Sequence, residues 1–443
     1  MASRSAPTQP LFPRLSGGPG KMAPEEVARH QRGRLEGAMV EAVARHGFAG
    51  TTLRELVTLA GVSKTTFYEH FESKQDCFLA AFDEIAQQTR ERVGAAYRQP
   101  GDFREKLVAG LGTFMQMAVE QPAAASLATV ESLSLGTAGV EHWERASHDF
   151  ELMIQQSFDH SPAPREVSAL TVRAVVGGIR GVVYRRLRAG APEELPGLVE
   201  MLVDWALLFQ QPDSGIVRRA REAAAQPAPA PEPAPEDGDR PPDWSEPPDS
   251  PRSRRALSQR ERIVRGAARV VVERGYEALS IPAISGAAGV SNQTFYEHFT
   301  GKREAFLAAF EALAEEALAA GATAFMAAED RPEAVGAGLR GLLKHIAANE
   351  AFARLAFFEL PTAGPAALDQ ADAVLDRFVS FLEPGVPPGE LGKALPKPIL
   401  EAIATGIWAT LQHEIVHGRQ VALPQLAPDV ASLALVPFGP DPD

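Results

Sequence analysis

Cysteine is all but missing: Cys77 is the only one in 443 residues, so no disulfide can form within the chain. That usage suits a reducing compartment, and a cytoplasmic location is expected. The thiol, beside Phe78, reads as a small buried residue, with a redox sensor as the alternative. Aromatics are scarce too, with four Trp and five Tyr, while Ala and Leu abound; this mixture fits helical modules joined by loops. No apolar run approaches a membrane span, and Met1–Gly20 has Pro, Gly and Ser but not the apolar core of a signal peptide. Also absent are a phosphate-cradling Gly loop after a strand, a nucleophile elbow and a defensible Cys–His pair. No catalytic residue, metal or cofactor is therefore expected, and the protein is read as not an enzyme.

The charge is unevenly spread. The net charge of −13 argues at first against a polyanionic partner. Residues 1–75, however, carry ten Lys/Arg against seven Asp/Glu, and residues 252–303 carry ten against four, leaving −22 for the rest. Positive regions on an acidic remainder steer the former toward phosphate.

Those two regions are copies. Val62-Ser63-Lys64-Thr65-Thr66-Phe67-Tyr68-Glu69-His70-Phe71 returns, shifted by 228 positions, as Val290-Ser291-Asn292-Gln293-Thr294-Phe295-Tyr296-Glu297-His298-Phe299. Both follow Ala-Gly and run on to a lysine (Lys74, Lys302) and then Phe-Leu-Ala-Ala-Phe. Each reads as a short helix, a glycine turn and a second helix opened by a serine N-cap. Val62, Phe67 and Phe71 fall on a buried side, as do Val290, Phe295 and Phe299. Lys64, Thr65 and Tyr68 face the other way, as do Asn292, Gln293 and Tyr296. A helix with a packed rear and a polar front has the shape that enters a DNA major groove.

The run AGVS(x)xTFYEHFxxKxxxF, preceded by a helix ending in Arg-His-Gly-Phe or Arg-Gly-Tyr, resembles the N-terminal domain of the TetR/AcrR family of bacterial regulators. The resemblance implies an all-α protein whose basic helix-turn-helix heads sit on helical bodies that bind an effector and dimerise. It implies double-stranded operator DNA and an unidentified small molecule as partners. By the same resemblance, Arg54, Tyr68, His70 and Lys74 match backbone-contacting positions, as do Tyr296, His298 and Lys302. The DNA-facing set is completed by Ser63, Lys64, Thr65, Thr66, Ser291, Asn292, Gln293 and Thr294.

In chain order, residues 1–24 read as a disordered arm and 25–98 as the first head. Its first helix runs from about Glu25 to His46 and is closed by Gly47. Arg29, Arg32 and Arg34 near its start either reach a phosphate or are solvated. Thr52-Leu53-Arg54-Glu55 forms a capping box. Residues 99–211 form the first body of about five helices. The last two carry Gly177, Gly178 and Gly181, and small residues suit close helix packing. Residues 212–255, rich in Ala-Pro and acidic residues, predict an extended linker; Trp244, its only large aromatic, either docks or is exposed. The second head spans 256–325, the second body 326–437 and a tail 438–443. The 228 shift places Leu127 on Leu355, Glu131 on Glu359, Phe150 on Phe378 and Gly178 on Gly406, so the whole head-plus-body unit is duplicated. Such a chain is expected to pair its two units internally, with exchanged or four-headed oligomers as the alternative.

The second copy departs in informative ways. Arg54 becomes Pro282, which a first helical turn tolerates, and Glu55 becomes Ala283, leaving Ser280 alone as cap. Lys64-Thr65 becomes Asn292-Gln293.

Two further features carry chemistry of another kind. His413-Glu414-Ile415-Val416-His417 matches the helical H-E-x-x-H zinc motif, the basis of an alternative zinc-hydrolase reading. No histidine follows it, no downstream glutamate can serve as a third ligand, and the first copy has Arg185 and Ala189 at the matching places. Two histidines in the last turn of a helix are the plainer interpretation. In the bodies, Phe114, Met117, Trp143, Phe150, Phe352, Phe357 and Phe358 are candidates to line an effector pocket, or else they fill core.

Overall fold

The computed structural model describes residues 23–159, 167–211, 213–226, 243–383 and 394–439. The arm to residue 22, most of the Ala-Pro tract and the last four residues of the tail lie outside the described residues. Among those described there are helices and turns and no strand. The chain divides into two units, one of residues 1–172 and 179–210, the other of 173–178 and 211–443.

The first unit opens with α1 (Pro24–Gly50), α2 (Leu53–Ala60), α3 (Lys64–His70) and α4 (Lys74–Tyr97). Its body is α5 (Phe103–Glu120), α6 (Pro122–Thr129), α7 (Thr137–Asp159), α8 (Ala169–Arg188, less residues 173–178, which group with the second unit) and α9 (Val199–Leu208). The head core gathers the apolar faces of α1 to α4: Leu35, Met39, Leu56, Phe67, Phe71, Cys77, Phe78 and Phe82 are all essentially inaccessible. Cys77 belongs to that core, its Sγ 3.8 Å from the Leu35 carbonyl, and burial pushes its thiol pKa up. A buried, protonated thiol has little of the thiolate character a redox sensor needs.

Local signals explain the helix boundaries. Gly47 breaks α1 with φ +67°, a conformation in which a side chain would be strained. Thr52, Ser63, Ser73 and Asp102 each accept a backbone N–H from their third following residue and start α2 to α5. The expected capping box at Thr52 is only half made. Glu55 turns instead to His46, 3.1 Å away.

The second unit repeats the plan: α12 (Gln259–Arg274), α13 (Ile281–Ala288), α14 (Asn292–His298) and α15 (Lys302–Met326) form its head. Its body is α16 (Arg331–Ala348), α17 (Glu350–Arg354), α18 (Pro365–Ser380), α19 (Lys397–Val416) and α20 (Ala427–Leu435). Gln420–Phe438 is long and apolar enough to cross a membrane, contrary to the expectation that no run comes close. Here it is interrupted at Pro424 and buries Leu423, Val430, Leu433 and Leu435 within the unit.

The stretch expected to be a linker is partly ordered. Gly215–Ala225 is helix α10, and Pro251–Ala256 is helix α11. Helix α10 buries Ile216, Val217, Ala220 and Ala224 and packs on α16 and α20. Its backbone comes so close at Gly336 that a Cβ there would lie 2.1 Å from the Ala220 carbonyl oxygen. Trp244 docks as well: its indole N–H donates to Glu316 (2.7 Å), and the Arg265 guanidinium lies over its ring.

Candidate nucleic-acid interface

Each head presents a short helix held at both ends. In the first, Ser63 caps α3, accepting from Thr66 N at 3.0 Å, and the two hydroxyls lie 3.0 Å apart. Ser291 and Thr294 repeat both distances in α14. These hydroxyls already have partners, so they set the helix start before they touch anything outside. The turn ahead of each helix is a glycine at φ +61° (Gly61) or +63° (Gly289). Phe67 and Phe295 anchor the rear of the helix, 1% and 0% exposed.

The front faces solvent. Lys64 and Thr65, like Asn292 and Gln293, are exposed. Tyr68 and Tyr296 are 54% and 60% exposed, unusual for large side chains in so well packed a domain. Each stands edge-on to the phenylalanine before it, and the Lys64 ammonium lies 5.8 Å from the Tyr68 ring centroid. Arg54 is exposed on α2, and so is Pro282 on α13.

Not every expected DNA-facing residue points outward. Lys74 donates to the carbonyls of Phe48 (2.8 Å) and Thr51 (2.9 Å), and its ammonium lies 4.3 Å from the Phe48 ring centroid. Burial lowers its pKa. The reason is the end of α1: carbonyls there lack helical partners, and the nearest long cation supplies one. Lys302 lies over the Tyr276 ring at 5.1 Å. His70 is half-buried beside Gln31 (3.3 Å), and His298 keeps its Nε2 buried. The arginines of α1 are also placed. Arg34 donates to the Gly61 carbonyl (3.2 Å), and Arg262, 228 positions on, donates to Ala288 O at 3.2 Å. Arg32 stacks on Phe71 and Arg260 on Phe299, 4.7 and 5.2 Å from the ring centroids. Arg260 and Arg262 were not singled out from sequence, although the 228 shift onto Arg32 and Arg34 points to them.

The match to a family is direct. The model described as bacterial regulatory proteins, tetR family, matches residues 37–81 and again 263–309. The two heads, in tandem, are each matched by the TetR-family model. Similar solved structures include the transcriptional regulator FadR from Bacillus subtilis in complex with stearoyl-CoA, 17% identical with a TM-score of 0.37 over 39% of this chain and 96% of that one. A TetR-like transcriptional regulator from Rhodococcus sp. RHA1 is 20% identical, with a TM-score of 0.35 over 42% of this chain and 98% of that one. The assignment rests on the two family-model matches, which fall on the two heads.

The zinc-like motif closes α19, with its two histidines side by side. His417 Nδ1 lies 2.8 Å from the His413 carbonyl, and the two rings are 4.2 Å apart. Glu414, which would be the base, forms a two-pronged ion pair with Arg419 at 2.7 and 3.0 Å. That hydrogen-bonded guanidinium lowers its pKa, so the carboxylate is a poor proton acceptor.

The pocket candidates divide. Phe352 and Phe357 line a cavity in the second body, where Phe357 stacks on Trp408 at 4.2 Å. Phe358 is half-buried and is not among that cavity's lining residues. In the first body, Phe114 and Phe150 pair at 6.4 Å, and Met117 is buried. Trp143 carries the Arg180 guanidinium, 4.2 Å from its ring centroid. Arg180 donates to Thr129 O (3.3 Å), and burial lowers its pKa to about 10. The 228 shift takes Thr129 and Arg180 to Phe357 and Trp408, so a polar contact in one body is an aromatic stack in the other.

Proposed function

We propose that this regulator is a ligand-released repressor that reads a quasi-palindromic operator with the two heads of one chain. The observation that carries the reading is the pairing of a preserved frame with an altered front. Capped helices, glycine turns, phenylalanine anchors and exposed tyrosines recur, while Lys64-Thr65 is replaced by Asn292-Gln293. Lysine suits the O6/N7 edge of guanine and Thr65 a thymine methyl; Asn and Gln suit the N6/N7 edge of adenine. The two half-sites therefore differ. Pairing of the units within one chain is favoured by tethering, which raises effective concentration toward the millimolar range. An effector bound preferentially by a body state that misplaces the heads shifts the population off DNA. A cytoplasmic location goes with that role.

Selection of bound sequences from a random DNA pool at stated salt tests the reading. Two unlike half-sites spaced as successive major grooves, roughly 34–36 Å, are expected. A perfect palindrome counts against it, and so does a light-scattering mass of two chains that persists on dilution.

A further inference from the structure

Two adjoining crevices lie in the second unit, where the body helices α16 and α18 meet α15, and reach α19. Their volumes are about 40 and 50 Å³, and they share Leu318, Leu342 and Phe378. Each is several times the roughly 10–15 Å³ that one water needs. The lining side chains are aliphatic or aromatic, among them Phe325, Leu339 and Phe381 in the first and Trp408, with the one polar N–H, in the second. A water there would find fewer than the two to four polar partners it needs, so the space favours an apolar occupant.

A buried cation, not itself a lining residue, touches two residues of the first crevice, Phe325 and Phe381. Arg331 is 2% exposed, among the most deeply buried large residues of the protein. Its guanidinium lies 5.3 Å from the centroid of the Phe325 ring and donates through Nη2 to the carbonyls of Phe381 and Glu383 (3.0 Å for the latter). Phe325 and Phe381 are themselves crevice residues. The Nη2 contacts close the end of α18; Nε and Nη1 are buried and have no hydrogen-bond partner among the described residues. The neighbouring Asp330 is committed elsewhere, capping α16 through Glu333 N and pairing with Arg219 at 3.3 Å. A buried guanidinium with idle donors is costly unless an anion comes to it.

The first body lacks this arrangement by sequence. The 228 shift puts Phe103 where Arg331 stands, Val93 where Gly321 opens the crevice wall, and Phe114 in place of Leu342.

We propose that the second body binds an aliphatic carboxylate, its chain in the paired crevices and its head group on Nε and Nη1 of Arg331. This deepens the effector reading above and rests on it only for the regulatory consequence.

The test is calorimetric titration of the full chain, without DNA, with decanoate and with decanol. Decanoate should bind at least about tenfold more tightly, the value of a hydrogen bond to a charged group. Ala322→Leu, which fills the crevice from α15, should weaken both ligands. Arg331→Met should bring them level, and Arg331→Lys should keep part of the preference. If Arg331→Met fails to fold by circular dichroism, the Lys variant and the decanoate-to-decanol ratio of the unaltered protein decide. Equal affinity for the two ligands, binding indifferent to Ala322→Leu, or no binding of either overturns the site. Release from selected DNA is read separately: decanoate that binds without releasing DNA sinks the ligand-released repressor and leaves the site standing.

Discussion

Glu131 and Glu359, 228 positions apart, make the same bond: Glu131 accepts the Phe48 amide at 3.0 Å and Glu359 the Tyr276 amide at 2.9 Å. In each unit a body carboxylate thus satisfies the amide that follows the glycine ending the head's first helix. A side chain at Gly47 would bring its Cβ to 3.4 Å from Glu131 Oε2, so the positive-φ glycine and the glutamate form one joint. Removing the carboxylate leaves a part-buried N–H without its partner, at about 1–3 kcal/mol. Glu131→Ala should therefore speed hydrogen exchange at Phe48, and Glu359→Ala at Tyr276, each without touching the other unit. Unchanged protection would show that the joint holds nothing.

Lys74 gives a prediction opposite to the one its sequence position suggests. With both hydrogen bonds directed to the end of α1, Lys74→Met should lower the stability of the first head by about 1–3 kcal/mol. The affinity of the folded protein for DNA should stay as it was. Cys77 provides the readout: buried and protonated, it reacts with a thiol reagent only when the head opens, and the variant should raise that rate. A loss of affinity at unchanged thiol reactivity would return Lys74 to the phosphate-contacting set.

What the sequence made legible was whatever repeats or caps. The two heads, the serine N-caps and the stops at Gly47 and Gly275 depend on local backbone chemistry, and they fall where expected. Helix α10 was hidden by its neighbours. Ile216, Val217, Ala220, Ala223 and Ala224 have helical spacing, yet they adjoin an Ala-Pro tract whose composition speaks for an extended chain. Lys74 and Arg331 were illegible for another reason. What each cation touches depends on where a distant helix ends, at Phe48 and Thr51 for one and at Phe381 for the other. No spacing rule reaches that far.

The exposed front of α3 supports a direct exchange experiment. Lys64→Asn with Thr65→Gln gives the first head the second head's front while leaving Ser63, Phe67 and Phe71 in place. The selected operator should shift toward a symmetric repeat of the second half-site, with discrimination at the altered positions changing by about 1–3 kcal/mol. Tyr68→Phe should instead weaken binding to all sequences alike, as loss of a backbone contact does. An unchanged selected site after the exchange would mean that these side chains do not meet bases.

Mild acid should push the two units in opposite directions. In the first, burial raises the pKa of Glu36 and Glu131 above the ordinary 4.5. A carboxyl that holds its proton better when folded stabilises the folded state at low pH, and that contribution is lost as pH rises from about 4.5 through the raised value. The second unit holds His345, whose pKa burial lowers from 6.5 and whose Nε2 is buried without a partner among the described residues. Its contribution is present above 6.5 and is lost as pH falls below that value, because the unfolded chain then binds the proton more readily. Glu261, Glu304 and Glu414, whose pKa values are held down mainly by hydrogen bonds, lose their contributions only below about 4.5, so they do not blur the comparison at higher pH. Between pH 7 and 5, hydrogen exchange should therefore report a second unit that loosens and a first unit that holds or tightens. His345→Phe should flatten the response of the second unit, and Glu131→Gln should reduce that of the first. Parallel loss of protection in both units, unaffected by either substitution, would place the pH dependence elsewhere in the molecule.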